Sequence, residues 1–222
     1  MKICHNIICV NLLIKKTMSK KIIWIIIIVV IIVGLVVVFL NLPKKSALPV
    51  TGPGEETTPV VVPEGAVVAP ELNLSQIVEP KAIVPGASPV TGEGKILTDE
   101  GKIASPEGVA PGAKETPKPS APIEENKIPK SALTMKVSAQ NGYEPSQFQA
   151  KAGQVVTLCL VGTDDKSHSL NFRHPSLSGL VITIMGKETR CLTFNAPIAG
   201  TYEFACSNPD HSKEVGQMFI TE

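Results

Sequence analysis

Proline, cysteine and aromatic residues are distributed so unevenly along this chain that they decide where a core can form. Residues 41–133 carry 15 of the 19 prolines and contain no Phe, Trp, Tyr or Cys. Residues 134–222 hold seven of the nine aromatic residues and three of the four histidines. Because large apolar and aromatic side chains dominate the burial that stabilises a domain, we expect only residues 134–222 to build a hydrophobic core.

An apolar run, IIWIIIIVVIIVGLVVVFL, occupies residues 22–40 and contains no charge and no proline. As a helix of 19 residues it would span roughly 28 Å, which is close to the hydrocarbon thickness of a bilayer. A cleavable signal peptide has a shorter apolar region and a small-x-small cleavage site, whereas NLPKK follows this run. We therefore predict an uncleaved transmembrane signal anchor rather than a buried core helix.

The lysines around this run predict its orientation. Four lysines precede the run closely and two follow it, which favours a cytoplasmic N-terminal segment, residues 1–21. The part after the anchor is then exported, to a periplasm or to the cell surface. Met18 begins MSKKIIW, a complete start for such an anchor, so whether residues 1–17 are translated stays open. Cys4 and Cys9 lie in that stretch and are assigned no function.

Residues 41–133 are predicted to be a Pro-rich disordered linker, since they have too little large apolar surface to offset the entropy of ordering. Such a segment would serve as a tether. LPVTG at residues 48–52 is similar to a cell-wall sorting signal, but that signal precedes a C-terminal apolar span and a basic tail. PVTG recurs at residues 89–92, and we interpret both copies as a low-complexity repeat.

Short alternating runs begin near residue 133 and continue to the end of the chain. Turn-forming stretches such as NGYEP, GTDDKS, NAPIAG and SNPD separate seven or eight of them. That spacing over about 90 residues predicts an antiparallel β-sandwich or barrel.

Three stretches follow one another in this segment: NGYEPSQFQAKAGQVVTL, GTDDKSHSLNF and GKETRCLTFNAPIAGTYEFAC. In this order they resemble the cupredoxins, the family of plastocyanin- and azurin-like type 1 copper domains. NGYEPSQFQAKAGQVVTL is similar to the opening strands of such a domain, and GTDDKSHSLNF to the segment that supplies the first copper histidine. GKETRCLTFNAPIAGTYEFAC resembles the strands that lead to the copper cysteine. The resemblance covers residues 134–222 and implies an all-β, Greek-key cupredoxin-like sandwich.

The resemblance carries three metal ligands over to this chain: His168, Cys206 and His211. A thiolate with two imidazoles is the trigonal set that selects copper and supports electron transfer, with a weak axial ligand that tunes the potential. We therefore expect one copper ion. Taken singly, Cys206 would be interpreted as a buried thiol and a strand histidine as a surface residue.

The fourth ligand is where this sequence departs from the family. Small cupredoxins commonly end in H-x-x-M-x-G, whereas here the same positions are His211, Glu214 and Gly216. Glu214 is the first axial candidate, and a carboxylate there would favour Cu(II) and lower the potential. Met218 is the second, because its alternation with Ile220 on the last strand favours core packing. A three-coordinate or carbonyl-capped site is the third.

Two further cysteines, Cys159 and Cys191, lie in strands that are neighbours in the cupredoxin sheets. The apolar residues beside each cysteine alternate toward the core, so both cysteines are expected to point outward. A cross-strand disulfide on the outer face is one interpretation in an oxidising compartment. Two free thiols are the other.

We interpret the chain as a membrane-anchored, extracytoplasmic carrier of single electrons that serves redox partner proteins. We do not expect an independent enzyme, because no carboxylate–histidine pair suggests hydrolysis. The ligand loop also holds only one cysteine, which excludes a binuclear copper site of the CxxxC type. A nucleic-acid partner is not expected at a net charge of +1.

Two alternatives stay open at this point. One is a copper-handling, copper-sensing or structural module, in which the same donors could also hold zinc. The other is a surface interaction domain without redox use.

Overall fold

Short β-strands make up most of the regular structure in the computed structural model, which describes residues 60–222. The predicted segments 1–21 and 22–40, and residues 41–59 of the predicted linker, lie outside the described residues. The strands of the described part are β1 (Val67–Val68), β2 (Lys81–Ala82), β3 (Pro89–Val90), β4 (Leu133–Ser138), β5 (Gly142–Glu144), β6 (Gln147–Lys151), β7 (Val155–Gly162), β8 (Ser167–Phe172), β9 (Val181–Met185), β10 (Thr189–Asn195), β11 (Gly200–Ala205) and β12 (Val215–Thr221). Three 3₁₀-helical turns lie at Leu74–Gln76, Glu125–Lys127 and Pro175–Leu177. No helix within residues 60–222 has both the length and the apolar character needed to cross a membrane.

Two sheets face each other and enclose the main core. One has the order β1-β6-β12-β11-β8-β9 and the other the order β10-β7-β4-β5, while β2 and β3 form a separate pair. The core includes the aromatic side chains of Phe148, Phe172, Phe194 and Phe204, which contact one another at centroid distances of 5.7 to 5.9 Å. The predicted all-β sandwich is therefore confirmed.

The sheets differ from the prediction in two details. They are mixed rather than antiparallel, because β4 pairs with β7 and β6 pairs with β12 in parallel. The stretch NGYEP, interpreted as a separator, contains the short strand β5, which pairs with β4. Gly142 begins β5 with φ of 76°, a conformation that glycine adopts without strain. Because glycine is typical of turns, the sequence NGYEP predicts a turn here rather than a strand.

The prediction of a disordered linker is wrong for residues 60–132, which we call the N-terminal wrap. Val84 and Val90 in the wrap are completely buried, and Ile96 is 2% exposed. The wrap adds β1 to the edge strand β6, and its Ile123 bridges to Thr189 on the other sheet's edge strand, β10. The entropy argument treated this segment in isolation, whereas docking on the sandwich supplies the missing apolar contacts.

The residues Glu56–Glu222 cluster as one unit that contains both sheets, their core and the wrap. A unit with its own hydrophobic core has what a domain needs to fold alone. We therefore use Glu56–Glu222 as the folded unit in the experiments below.

Candidate metal centre

The four candidate ligands come from two neighbouring parts of the larger sheet. His168 is the second residue of β8, and Cys206 directly follows β11. His211 and Glu214 lie in the loop that leads from β11 to β12. Because β11 pairs with both β8 and β12, the fold brings residues that are about 40 positions apart to one place.

The loop from Cys206 to Glu214 is closed by its own backbone. The Cys206 N–H donates to the Glu214 carbonyl oxygen at 3.0 Å, as the next rung after the β11–β12 ladder. Inside the loop, the Glu214 N–H donates to the His211 carbonyl at 2.9 Å, and the His211 N–H to the Asn208 carbonyl at 3.1 Å. Within this loop, His211 Nδ1 lies 2.7 Å from Glu214 Oε1 and 3.8 Å from Cys206 Sγ.

Potential ligand atoms of three buried residues, His168, His211 and Glu214, lie close together at this place. Glu214 Oε1 lies 2.8 Å from His168 Nδ1 and 2.7 Å from His211 Nδ1. The potential ligand atoms of these three residues all lie within 4.8 Å of one another. Cys206 is not part of that three-residue group, but its Sγ is 3.8 Å from His211 Nδ1.

Glu214 carries the clearest sign that a cation belongs at this point. The residue is completely buried, and its Oε2 has no hydrogen-bond partner. Burying a carboxylate oxygen without a partner is costly, so such groups are normally paired or bound to metal. Two imidazole nitrogens, a thiol and this carboxylate are donors that copper accepts, so the residues fit a copper ion.

The sulfur of Cys206, the one free cysteine among residues 60–222, has two polar neighbours. The Asn208 backbone N–H donates to Sγ at 3.4 Å, and Ser169 Oγ lies 3.6 Å away. Ser169 Oγ already accepts from Asn171 Nδ2 and from the Ser207 N–H. Its own proton is therefore available to the Cys206 sulfur or to Ser207 Oγ, which lies 2.9 Å away.

Comparison with known families identifies this part of the chain. Residues 119–219 match the family model of the cupredoxin-like domain. This segment is a cupredoxin-like domain. The match begins 15 residues before the boundary predicted at residue 134, inside the N-terminal wrap, because wrap residues from 120 onward pair with β10.

Several solved structures match part of the chain. Reduced auracyanin from the photosynthetic bacterium Roseiflexus castenholzii is 18% identical, with 41% of this chain and 97% of that chain covered and a TM-score of 0.36. Amicyanin from Paracoccus versutus is 19% identical, with 45% and 91% covered and a TM-score of 0.36. A Cu(I) form of an amicyanin variant is 20% identical, with the same coverage and TM-score. No curated protein matches the chain significantly.

The cupredoxin-like domain contains a site residue that the sequence analysis missed, Asp164. Its Oδ1 lies 2.7 Å from His168 Nε2. Burial by itself would raise the pKa of Asp164. The contact with His168, the N–H groups of Ala139 and Lys166, and the charge of His168 outweigh burial and lower the pKa to about 2. The spacing of four residues before His168 in GTDDKSH is the signal that could have identified it.

Tyr143 is a second missed neighbour of the site. It lies on β5, is 4% exposed, and its hydroxyl donates to the Ser169 carbonyl at 2.5 Å. Burial raises the pKa of Tyr143 strongly, and the charges of Cys206 and Glu214 raise it further. The tyrosine therefore stays protonated and holds the backbone next to His168.

Met218 packs in the core of the cupredoxin-like domain. It is completely buried within the main apolar cluster and pairs with Tyr202 across β11 and β12. It does not belong to the group of His168, His211 and Glu214. This position agrees with the alternation argument that made it the second axial candidate.

Cys159 and Cys191 form a disulfide between directly opposed positions of β7 and β10. Both lie on the face of the sheet away from the main core, in the orientation that alternation predicted. Neither is exposed, however, because Val84, Ala87 and Ala132 of the N-terminal wrap cover them. The outer face is therefore a second, smaller core.

Proposed function

We propose that the chain is a membrane-anchored, extracytoplasmic copper protein that carries single electrons between redox partner proteins. The observation that carries this proposal is the convergence of two histidine Nδ1 atoms on a buried carboxylate with one unpartnered oxygen, beside a free cysteine. His168, Cys206, His211 and Glu214 would hold the ion. Copper bound there supplies a change between Cu(II) and Cu(I), which is a one-electron reaction.

The residues around the site support transfer rather than turnover of a substrate. His168 is 1% exposed, His211 is 4% exposed and Glu214 is completely buried, so little room exists for water or a substrate at these donors. The hydrogen-bonded loop and the disulfide-linked sandwich hold the donors in place when the charge of the ion changes. We therefore propose an electron-transfer protein rather than an independent enzyme, without a nucleic-acid partner.

The membrane anchor is the part of the proposal that rests on the sequence alone. The apolar run of residues 22–40 and the excess of lysines before it support a single span with the N-terminus inside. The oxidised Cys159–Cys191 pair fits a compartment outside the cytoplasm.

The deciding experiment is titration of the metal-free unit Glu56–Glu222 with Cu(II), followed by visible absorption. We expect an intense thiolate-to-copper band and reversible one-electron reduction, and we expect Cys206→Ser to abolish the band. Asp210→Asn, on an exposed loop residue, serves as control and should leave the band in place. A unit that binds Cu(II) with only weak bands would contradict the electron carrier, and retention of zinc on purification would favour a structural module.

A further inference from the structure

The carboxylate of Asp164 contacts three residues near the candidate metal site: His168, Lys166 and Ala139. Oδ1 lies 2.7 Å from His168 Nε2 and also accepts the Lys166 N–H at 2.8 Å. Oδ2 accepts the Ala139 N–H at 2.9 Å. An ionised carboxylate only accepts hydrogen bonds, so the contact with His168 places a ring proton on Nε2.

This contact orients His168 and gives it a different environment from His211. With Nε2 engaged by Asp164, Nδ1 is the ring nitrogen left to ligate a metal, and it lies 2.8 Å from Glu214 Oε1, another candidate ligand atom. The Nε2 of His211 instead faces the neutral side-chain amide of Asn208 at 3.3 Å. Of the two imidazoles, His168 is therefore the one held by a further negative charge.

The same carboxylate also binds the turn that contacts the loop of Glu214. Ala139 belongs to the turn between β4 and β5, and the next residue of that turn, Gln140, accepts from Lys213 Nζ at 2.9 Å. A Cβ atom at Gly142 would overlap the carbonyl oxygen of Lys213, so the turn and the loop are in tight contact there. Lys213 directly precedes Glu214. The Ala139–Asp164 hydrogen bond therefore fixes the turn on which the ligand loop rests.

We propose that Asp164 is the positioning residue of this metal centre, an inference that rests on the proposed function. It holds His168 with Nδ1 toward Glu214, and it supports the loop of Glu214 through the β4–β5 turn. Its negative charge next to the imidazole favours the more highly charged Cu(II) over Cu(I). Carboxylates that accept from a ligating histidine act in this way by fixing its orientation and raising its basicity.

The test compares three variants of the folded unit Glu56–Glu222. Asp164→Ala removes the charge and the acceptor, whereas Asp164→Asn removes the charge and keeps an oxygen for His168 Nε2. Asp165→Asn is the matched control, because Asp165 is the next residue, its side chain is 90% exposed, and its partner is Lys187 at 3.4 Å. Circular dichroism establishes that each variant is folded.

We expect Asp164→Ala to lower the affinity for Cu(II) by about 10–100-fold, with Asp164→Asn recovering part of that loss. Both variants should raise the midpoint potential of copper, and Asp165→Asn should leave affinity and potential close to those of the parent. Equal shifts in Asp164→Asn and Asp165→Asn would overturn the proposal, since the effect would then be long-range charge alone.

A second readout reports on His168 directly. In the diamagnetic Cu(I) protein, ¹H–¹⁵N spectra should show a slowly exchanging Nε2–H of His168 that disappears in Asp164→Ala and persists in Asp165→Asn. An Nε2–H signal that survives in Asp164→Ala would overturn the proposal. Zn(II) supports the same measurement, so this test still applies if the parent unit shows no thiolate-to-copper band and the proposed function itself fails.

Discussion

In the proposed copper centre, Glu214 is the donor that departs from the family motif. A fully buried carboxylate that lies between two imidazoles is a harder and more strongly charged donor than the thioether usual at this position of the family motif. It brings a negative charge into a site with little water, where charges interact more strongly than in solvent. The expected result is preferential stabilisation of Cu(II).

Replacing Glu214 by methionine should therefore raise the midpoint potential and shift the thiolate-to-copper bands. Glu203→Gln is the control, since Glu203 is an exposed carboxylate on β11 whose side chain is 57% accessible and which pairs with Arg173. Absorption spectra and protein-film voltammetry of the two variants test the expectation. An unchanged spectrum in Glu214→Met would remove Glu214 from the ligands.

At this scale the sequence identified the candidate metal ligands better than it identified their neighbours. His168, Cys206, His211 and Glu214 follow from spacing and resemblance, and the structure brings them to one end of the sandwich. Asp164 was missed because an aspartate in a polar turn is ordinarily solvated. Its partner Ala139 is 25 positions away in the sequence, and the parallel pairing of β4 with β7 brings the two residues together. Sequence spacing does not reveal that pairing.

At the scale of elements, the β4–β5 turn controls how closely the ligand loop can approach. Gly142 has φ of 76°, and a side chain there would meet the backbone of Lys213. Gly153 has a similar φ of 74°, but the space around it is open. The two glycines therefore share a backbone requirement and differ in packing.

Gly142→Ala and Gly153→Ala separate these two contributions. Both variants should lose about 1–2 kcal/mol of unfolding free energy from the left-handed backbone conformation. Gly142→Ala should lose a further ~1–3 kcal/mol from overpacking and should also change the copper spectrum. Denaturant unfolding of the metal-free unit measures the difference. Equal losses would show that the turn does not support the ligand loop.

Two tandem hairpins in the wrap form from a short sequence repeat, which composition alone does not reveal. TGEGKI (91–96) and TDEGKI (98–103) repeat at an interval of seven residues. In each copy the threonine N–H donates to the lysine carbonyl, and the lysine N–H donates to the threonine Oγ. Gly94 and Gly101 take the left-handed conformation, with φ of 79° and 76°. Residues 91–103 fall in the segment predicted to be a Pro-rich disordered linker for its lack of large apolar surface, although this repeat is a turn motif.

At the scale of the whole molecule, the N-terminal wrap completes the sandwich. It pairs with strands at the edges of both sheets, β6 and β10, which would otherwise present unpaired backbone groups to other chains. It also covers the Cys159–Cys191 disulfide, so that all eight residues of β7 are buried. Composition could not predict this, because the wrap uses small apolar residues that form a core only on a surface supplied by residues 133–222.

The valines of the wrap test whether it is part of the folded unit. Val84 is completely buried against the disulfide, whereas Val78 is 93% exposed, so Val84→Ala and Val78→Ala make the same chemical change in opposite environments. We expect Val84→Ala to lower the unfolding free energy of Glu56–Glu222 by roughly 1–3 kcal/mol, the scale of one buried valine. We expect Val78→Ala to change it by less than about 0.5 kcal/mol. Urea unfolding measures both, and a loss in Val84→Ala as small as in Val78→Ala would mean that the wrap does not fold with the sandwich in solution.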